Sequence, residues 1–502
     1  MGLLILLLSS FLSYIMIDLA VDPLEDLYTS TDPDAPAQIE QRIEMLNLDA
    51  TVFERYATWF GAFVTGDPGV SWETGQPVAD ELRGAVIGTL HLVTAATFLS
   101  IILGVSVGIV SALRQYTSFD YIVVFFSFVL YSLPVFWVAV LLKQWGAIGF
   151  NDFLADPHLS PTTIGIVAVI GGALISMAMA GSRITRLISF VVGAAAVAGM
   201  LFYLQGSGWW NDPHIGPALL ILNGLGVAFA ITLLSTGLEN RRALFTSLSV
   251  VALTLALYLP VQWLFDVTDA AEITGAPLIA GLGLVCVAVG ALVGRFWGGP
   301  DWKQSARTGG IVAAIMGAMV FLDRIMQAWP SYNANPRISG RPIRTFQERT
   351  PGFQGDFWES TLNLYGHLIL PTLALMLISF ASYTRYSRGS MLEVLNQDYM
   401  RTARAKGLAE RTVIMRHGFR NTLIPLATLV PVDVIGLLGG ALITERIFAR
   451  PGMGTMFLAN LEANVIEPVM AYLVIVAALA ILANMVADLM YAALDPRIRV
   501  NA

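Results

Sequence analysis

The sequence predicts an all-α, polytopic membrane protein, and three observations carry that prediction. The first is composition: 56% of the 502 residues are hydrophobic, 13% are charged and the mean hydropathy is +0.68, whereas soluble chains carry about a quarter charged residues. The second is a series of apolar runs near the ~20 residues that a helix needs to cross the hydrocarbon. The third is where the bases fall. Short loops on one side of the predicted membrane hold 18 of the 29 lysines and arginines, the bias expected of cytoplasmic loops.

Twelve spans are expected, near 3–20, 85–112, 120–142, 162–180, 187–204, 217–237, 244–264, 276–295, 308–323, 365–384, 422–444 and 468–492. With the N-terminus inside, the inner loops receive Arg114; Arg183 and Arg186; Arg241 and Arg242; Arg295, Lys303 and Arg307; the bases from Arg385 to Arg420; and Arg497 with Arg499. The outer turns 205–216 and 265–275 have no base, and the second carries Asp266, Asp269 and Glu272. Both termini are therefore expected in the cytoplasm. The first span lacks a basic n-region and a clear small-residue cleavage site, so it reads as a retained anchor. The absence of bases before Leu3 is odd for an inside N-terminus, and the later loops carry the orientation.

Residues 22–84 form an acidic outer segment with room for short amphipathic helices around Ile39, Ile43, Met45, Leu46 and Leu48. A second outer segment, 324–364, is rich in Pro, Gly and aromatic residues, a composition at odds with disorder. The block 160–323 contributes six of the twelve spans, an even number that leaves the orientation downstream unchanged. Its Gly-, Ala- and Ser-rich faces allow close helix contact in lipid, and its scarcity of intramembrane charge argues for lateral packing rather than a second pathway. Pro134 and Pro371 are expected to bend their helices, and Lys143 to snorkel to the interface.

Motifs that carry chemistry are mostly missing. No Gly-x-x-x-x-Gly-Lys-Ser/Thr is available to cradle a nucleotide, and no Gly-x-Ser-x-Gly elbow occurs. His91, His158, His214, His367 and His417 are scattered without metal-ligand spacing. Cys286 stands alone in an apolar run, which excludes a disulfide framework. These absences argue against catalysis by this chain, and no cofactor or metal is expected; if ATP powers the protein, another chain hydrolyses it. Asp433, following Pro431, and Asp488 would be costly against lipid and should face protein or a water-filled path. Gly436, Gly439 and Gly440 give their helix a smooth side for another subunit.

The longest basic stretch of the C-terminal half, 398–425, lies between two spans. Within it Asp398, Arg401, Thr402, Ala403, Arg404, Ala405, Lys406 and Gly407 spell a short, helix-prone, small-sided segment with a glycine stop. This wording resembles the EAA loop of bacterial ABC importer permeases, in the dipeptide/oligopeptide/nickel branch. The general motif begins Glu-Ala-Ala where this chain has Arg401-Thr402-Ala403, and its Gly407-to-Pro425 spacing is longer; both look typical of the peptide branch. Glu445-Arg446-Ile447-Phe448 with Arg450-Pro451-Gly452-Met453-Gly454 is similar to the family's external turn. Leu494 through Arg499, Gly66-Asp67-Pro68-Gly69 and Tyr131 through Trp137 resemble further family stretches.

The resemblance implies a type I importer permease core. It would consist of residues 1–145 and 331–502, interrupted by an inserted six-helix block at 146–330 that has no counterpart in the usual pattern. It implies half of a translocation path for peptides or similar small polar solutes in a prokaryotic plasma membrane. The implied partners are a second permease, two P-loop ATPases docking at the 398–425 loop and an extracytoplasmic binding protein, with no role for nucleic acid. The alternative is an ion-gradient-driven secondary transporter, which would be expected to show carboxylates or interrupted helices clustered mid-membrane; no internal repeat is found between the 160–323 block and the flanking halves.

Overall fold

The computed structural model describes residues 2–179 and 182–494. In chain order the helices are α1 (Gly2–Ala20), α2 (Glu25–Tyr28), α3 (Ala35–Leu46), α4 (Val52–Val64), α5 (Val78–Leu113), α6 (Ser118–Ser132), α7 (Val135–Leu141), α8 (Phe150–Ala155), α9 (Pro161–Ala178), α10 (Arg183–Gly206) and α11 (Gly216–Ser235). They continue with α12 (Arg241–Ala270), α13 (Ala276–Gly298), α14 (Trp302–Gln327), α15 (Trp329–Ala334), α16 (Phe357–Leu395), α17 (Asp398–Ala405), α18 (Glu410–Thr412), α19 (Arg420–Ile447), α20 (Met453–Glu462) and α21 (Ile466–Leu494). Single π-helical segments join α7 to α8 and α18 to α19. Among the described residues no strand forms, as expected where every backbone polar group must be satisfied within lipid.

Helical structure lies at each of the twelve expected spans, but 120–142 is broken into α6 and α7, and the helix at 162–180 is among the shorter apolar ones. Nine stretches among the described residues are long and apolar enough to cross a membrane, and one of these, 276–334, takes in both α13 and α14. Those two helices form a hairpin about a single 3₁₀ turn, Gly299–Asp301. A Cβ added to Gly294 would strike the backbone of Ser305 and Ala306, and one added to Gly290 would strike Gly309. Small residues therefore set this contact. The helices on either side of Pro134 are bent by 102°, because proline restricts the preceding residue and removes a donor. Pro371, by contrast, lies inside α16, which is continuous as a helix from Phe357 to Leu395.

Sequence-local caps explain several helix starts. Thr51 and Glu54 form a reciprocal capping box at α4, and the bonds from Thr51 hold the Glu54 carboxyl below the usual carboxylate range. Thr117, Ser160, Ser182 and Asn240 cap α6, α9, α10 and α12 through their side chains.

The chain divides into two compact units. The first comprises 1–147, 345–348 and 367–502; the second comprises 148–344 and 349–366. In the first, α4 of the outer segment packs on α1 and α21 through Tyr14, Tyr56, Met470 and Val474. The Tyr56 hydroxyl meets Ser10 Oγ at 2.7 Å and Arg55 pairs with Asp18 at 2.7 Å. In the second, α11, α12 and α14 bury Leu220, Val251, Tyr258, Val312 and Met316, and Trp358 joins this core.

Two polar groups of the spans find partners within the protein. One is Asp323, in α14 at the end of the 160–323 block, which is fully buried. Its Oδ1 accepts from the Ile215 and Gly216 amides at 2.6 and 3.1 Å, and its Oδ2 from the Tyr258 hydroxyl at 2.5 Å and Gln327 Nε2 at 2.9 Å. A carboxylate at the start of α11 satisfies orphan N–H groups and complements the helix dipole. Lys143, expected at an outer end of its span, finds a partner within the protein. Its Nζ donates to the Ile447 carbonyl at 3.0 Å, which satisfies an otherwise orphan acceptor at the end of α19.

Candidate functional site

The segment after α16 builds a short helix with two faces. Gln397 is extended, and α17 starts with Asp398 in its first turn, where a negative charge is favourable. Met400 and Ala403, one turn apart, are buried against Val394, Leu395 and Val413. Asp398, Arg401, Thr402, Arg404, Ala405, Lys406 and Gly407 remain exposed. Ala403 therefore packs on its own chain, and Thr402 and Ala405 are the small residues offered outward. The helix ends at Gly407, with φ +75° and its amide bonded to the Arg404 carbonyl at 2.9 Å. A Cβ there would meet no atom within 4 Å, so glycine is required by backbone conformation and not by space.

Arg404 closes the following turn with a fork on Glu410, Nη2 to Oε1 at 2.8 Å and Nε to Oε2 at 3.1 Å. This bonding lifts the Arg404 guanidinium above its ordinary range. Both side chains are substantially exposed, so the pair adds at most about 1 kcal/mol. Arg401 lies 3.7 Å from Asp398 at the surface. Among the described residues Lys406, Arg416 and Arg420 form no ion pair.

What lies beneath α17 ties it to two spans. Gly418 in the π-helical segment leaves room for two methionines: a Cβ there would lie 3.2 Å from Met391 Cε and 3.4 Å from Met400 Cε. Thr422 donates to Met391 Sδ at 3.2 Å, Ser390 to the Thr422 carbonyl at 3.2 Å, and Asn421 to the Tyr399 hydroxyl at 2.9 Å. Thus α17 is seated on the ends of α16 and α19 together. Close by in sequence, Arg388 of α16 forms a bidentate pair with buried Asp120 at the start of α6, at 2.7 and 3.0 Å. Ser111 and the Tyr116 amide also donate to Asp120, at 2.6 and 3.1 Å. Sequence reasoning missed this pair. Its one signal was an acid in the first turn of an apolar helix.

The segment resembling an external turn forms a second polar knot. Glu445 is buried, and its Oε2 accepts from the Gly454 and Thr455 amides at 2.9 and 3.1 Å, the N-terminal turn of α20. Its Oε1 accepts from Thr89 of α5 at 2.5 Å, and Thr89 Oγ1 in turn accepts from the Met453 amide at 2.8 Å. Arg450, buried 3.9 Å from Glu348, donates to the His367 carbonyl at 3.3 Å; burial depresses its guanidinium below the ordinary value. A Cβ at Gly452 would strike the Glu445 carboxylate, and one at Gly454 would strike Leu442 in the preceding turn of α19 and press on Glu445 Oε2. The run from Glu445 to Gly454 is thus one self-capping turn in which the acid and the glycines require each other.

The remaining sequence candidates are not gathered with these. Asp433 is half-buried in α19 and interacts electrostatically with Tyr383 of α16. Gly436 is exposed, with nothing within 4 Å of an added Cβ. Gly439 and Gly440 fall in the same helix, and their surroundings lie outside the described residues, as do residues 495–499 of the expected C-terminal ending. Asp488 is exposed on α21. Among the described residues no group of three or more His, Cys, Asp or Glu is placed to hold a metal.

Comparison with known proteins agrees with this geometry. Residues 277–500 match the family described as the inner membrane component of binding-protein-dependent transport systems. An oligopeptide transport system permease protein of Mycobacterium tuberculosis is 44% identical over 154 residues, 31% of this chain and 47% of the relative. A dipeptide transport system permease protein of Escherichia coli is 41% identical over 148 residues, 30% of this chain and 42% of the relative. The chain thus spans about half the length of these two relatives or slightly less. One from Alkalihalophilus pseudofirmus, also a dipeptide transport system permease protein, is 25% identical over 467 residues, 93% of this chain and 86% of the relative. A match of that extent runs through most of the middle block, so at least one relative carries a counterpart of it. With α17 seated between two spans and the family match enclosing it, the chain is a multi-pass inner-membrane protein whose C-terminal part is similar to the inner membrane components of binding-protein-dependent transport systems.

Proposed function

We propose that this chain is the permease subunit of an ATP-driven importer and forms half of a path for peptides or similar small polar solutes. The observation that carries the reading is α17: a short helix fixed by Met400 and Ala403 to the ends of α16 and α19, with Asp398, Arg401, Thr402, Ala405 and Lys406 turned outward. A helix presented this way fits a groove on a partner. ATP-driven closure of two ATPases against it would rock α16 and α19 as connected bodies. A second permease would cover the exposed side of α19 at Gly436, and an extracytoplasmic binding protein would deliver solute. The basic loops support an orientation with both termini and the 398–425 loop in the cytoplasm. We also read 146–330 as an insertion into a core made of 1–145 and 331–502.

The test places single cysteines at Thr402, Ala405 and, as the inward control, Ala403, in a Cys286→Ser background co-expressed with the neighbouring ATPase genes. Thr402→Cys and Ala405→Cys should cross-link to an ATPase, and Ala403→Cys should not. Absence of any ATPase cross-link in an assembled complex that hydrolyses ATP would remove the coupling assignment.

A further inference from the structure

We propose that the α12–α13–α14 bundle holds an anionic phospholipid, with one acyl chain in its apolar cavity and the phosphate at its basic end. The cavity has a volume of about 460 Å³ and is lined by residues including Leu257, Val261, Leu282, Val285, Cys286 and Phe321. Its lining runs from Val250 to Phe265 along α12, about 22 Å at the rise of a helix and most of the thickness of the hydrocarbon. An elongated apolar channel of this length suits an extended hydrocarbon chain. Leu257 and Val285 are 45% and 59% exposed, so the channel opens laterally, where a chain from the bilayer can enter.

The polar groups of the lining are already satisfied. Thr254 Oγ1 donates to the Val250 carbonyl at 2.9 Å, the Tyr258 hydroxyl to Asp323 at 2.5 Å and Cys286 Sγ to the Ala313 carbonyl at 3.2 Å. Nothing there would retain water or a polar solute, and in a membrane the apolar occupant at hand is lipid.

Charge decides which lipid. Beyond the Val250, Gly290 and Ala313 end of the cavity, roughly 8–12 Å along the helix axes, lie Arg242, Arg295 and Arg307, with Arg241 and Lys303 beside them. All five are exposed, and among the described residues none forms an ion pair. The nearby acids in sequence are Glu239 and Asp301, which leaves a positive excess. The bases converge: Arg242 lies against Gly299, and Arg295 and Lys303 flank the Trp302 ring at 4.9 and 5.7 Å. Trp297 stacks on Phe245 at the same end. Tryptophan marks the headgroup level, and basic pockets between spans attract anionic headgroups.

The experiment is native mass spectrometry of the full-length chain in detergent, titrated with phosphatidylglycerol or phosphatidylcholine of matched chains. One phosphatidylglycerol should be retained per chain, at least about tenfold more tightly than phosphatidylcholine, and the triple variant R242Q/R295Q/K303Q should erase that preference. Gly283→Leu, at a lining position where an added Cβ meets nothing within 4 Å, should reduce retention of both lipids without unfolding the bundle. Equal retention of the two lipids by the wild type would overturn the proposal. So would a preference that survives the triple variant, retention unaffected by Gly283→Leu, or a lipid-free dimer of this chain.

Discussion

Truncation of Met400 to alanine tests whether α17 works as a fixed lever. Met400 is fully buried beside Ala403 and Val413 and close to Gly418. Removing its side chain forfeits burial and leaves a hole, a loss of about 2–4 kcal/mol. The loss falls on an eight-residue helix that is too short to persist without its packing. At 1.4 kcal/mol per tenfold, undocking of α17 becomes about 30- to several-hundred-fold more frequent. Hydrogen exchange at the amides of 400–406 should accelerate by that factor while α5 and α21 stay protected. In the assembled transporter, solute-stimulated ATP hydrolysis and uptake should fall together with expression unchanged. Met400→Leu, which nearly conserves volume and costs under about 1.5 kcal/mol, should restore both. Unchanged exchange in Met400→Ala would refute the packing argument, and faster exchange with undiminished uptake would refute the lever.

Three further outcomes are expected. A cytoplasmic reporter fused after Arg186, Arg242, Lys303 or Arg420 should be active and one near Gly208, Asp269 or Ser339 inactive; a single inversion within 160–323 would show a miscounted span. Asp120→Ala should lower thermal stability by about 3–5 kcal/mol because Arg388 loses its partner, whereas Asp120→Leu with Arg388→Met should cost far less, and equal losses in the two would show that the pair acts through something other than its charge. If 160–323 holds six spans, its deletion removes an even number, so the 398–425 loop should keep its orientation and the variant some ATP-dependent uptake. If that variant assembles with its ATPases and hydrolyses ATP yet transports nothing, the block belongs to the pathway.

Much of the site was legible because its signals are local. A helix that stops at Gly407 is written in Thr402–Gly407, since left-handed backbone is cheap only for glycine. The bend at Pro134 follows equally from one residue and its neighbours. Ala403 was legible only as a small residue on a helix. That it faces inward while Ala405 faces outward depends on Val394, Leu395 and Val413 arriving beneath it.

The sequence by itself determined that the chain is helical and membrane-embedded, roughly where its apolar helices lie, and which stretch of the C-terminal half is basic and exposed. Hydropathy and charge act residue by residue against a slab of fixed thickness, so a one-dimensional reading suffices for them. Only the tertiary structure decided which polar groups are spent inside the protein. Asp120 meets Arg388 across 268 positions and Glu445 meets Thr89 across 356, Lys143 ends on the Ile447 carbonyl, and Asp323 caps a helix more than a hundred residues before it. The physical reason is that helical periodicity fixes which residues share a face, whereas the energy of a buried charge depends on the partner that covers that face, and that partner comes from a distant part of the chain.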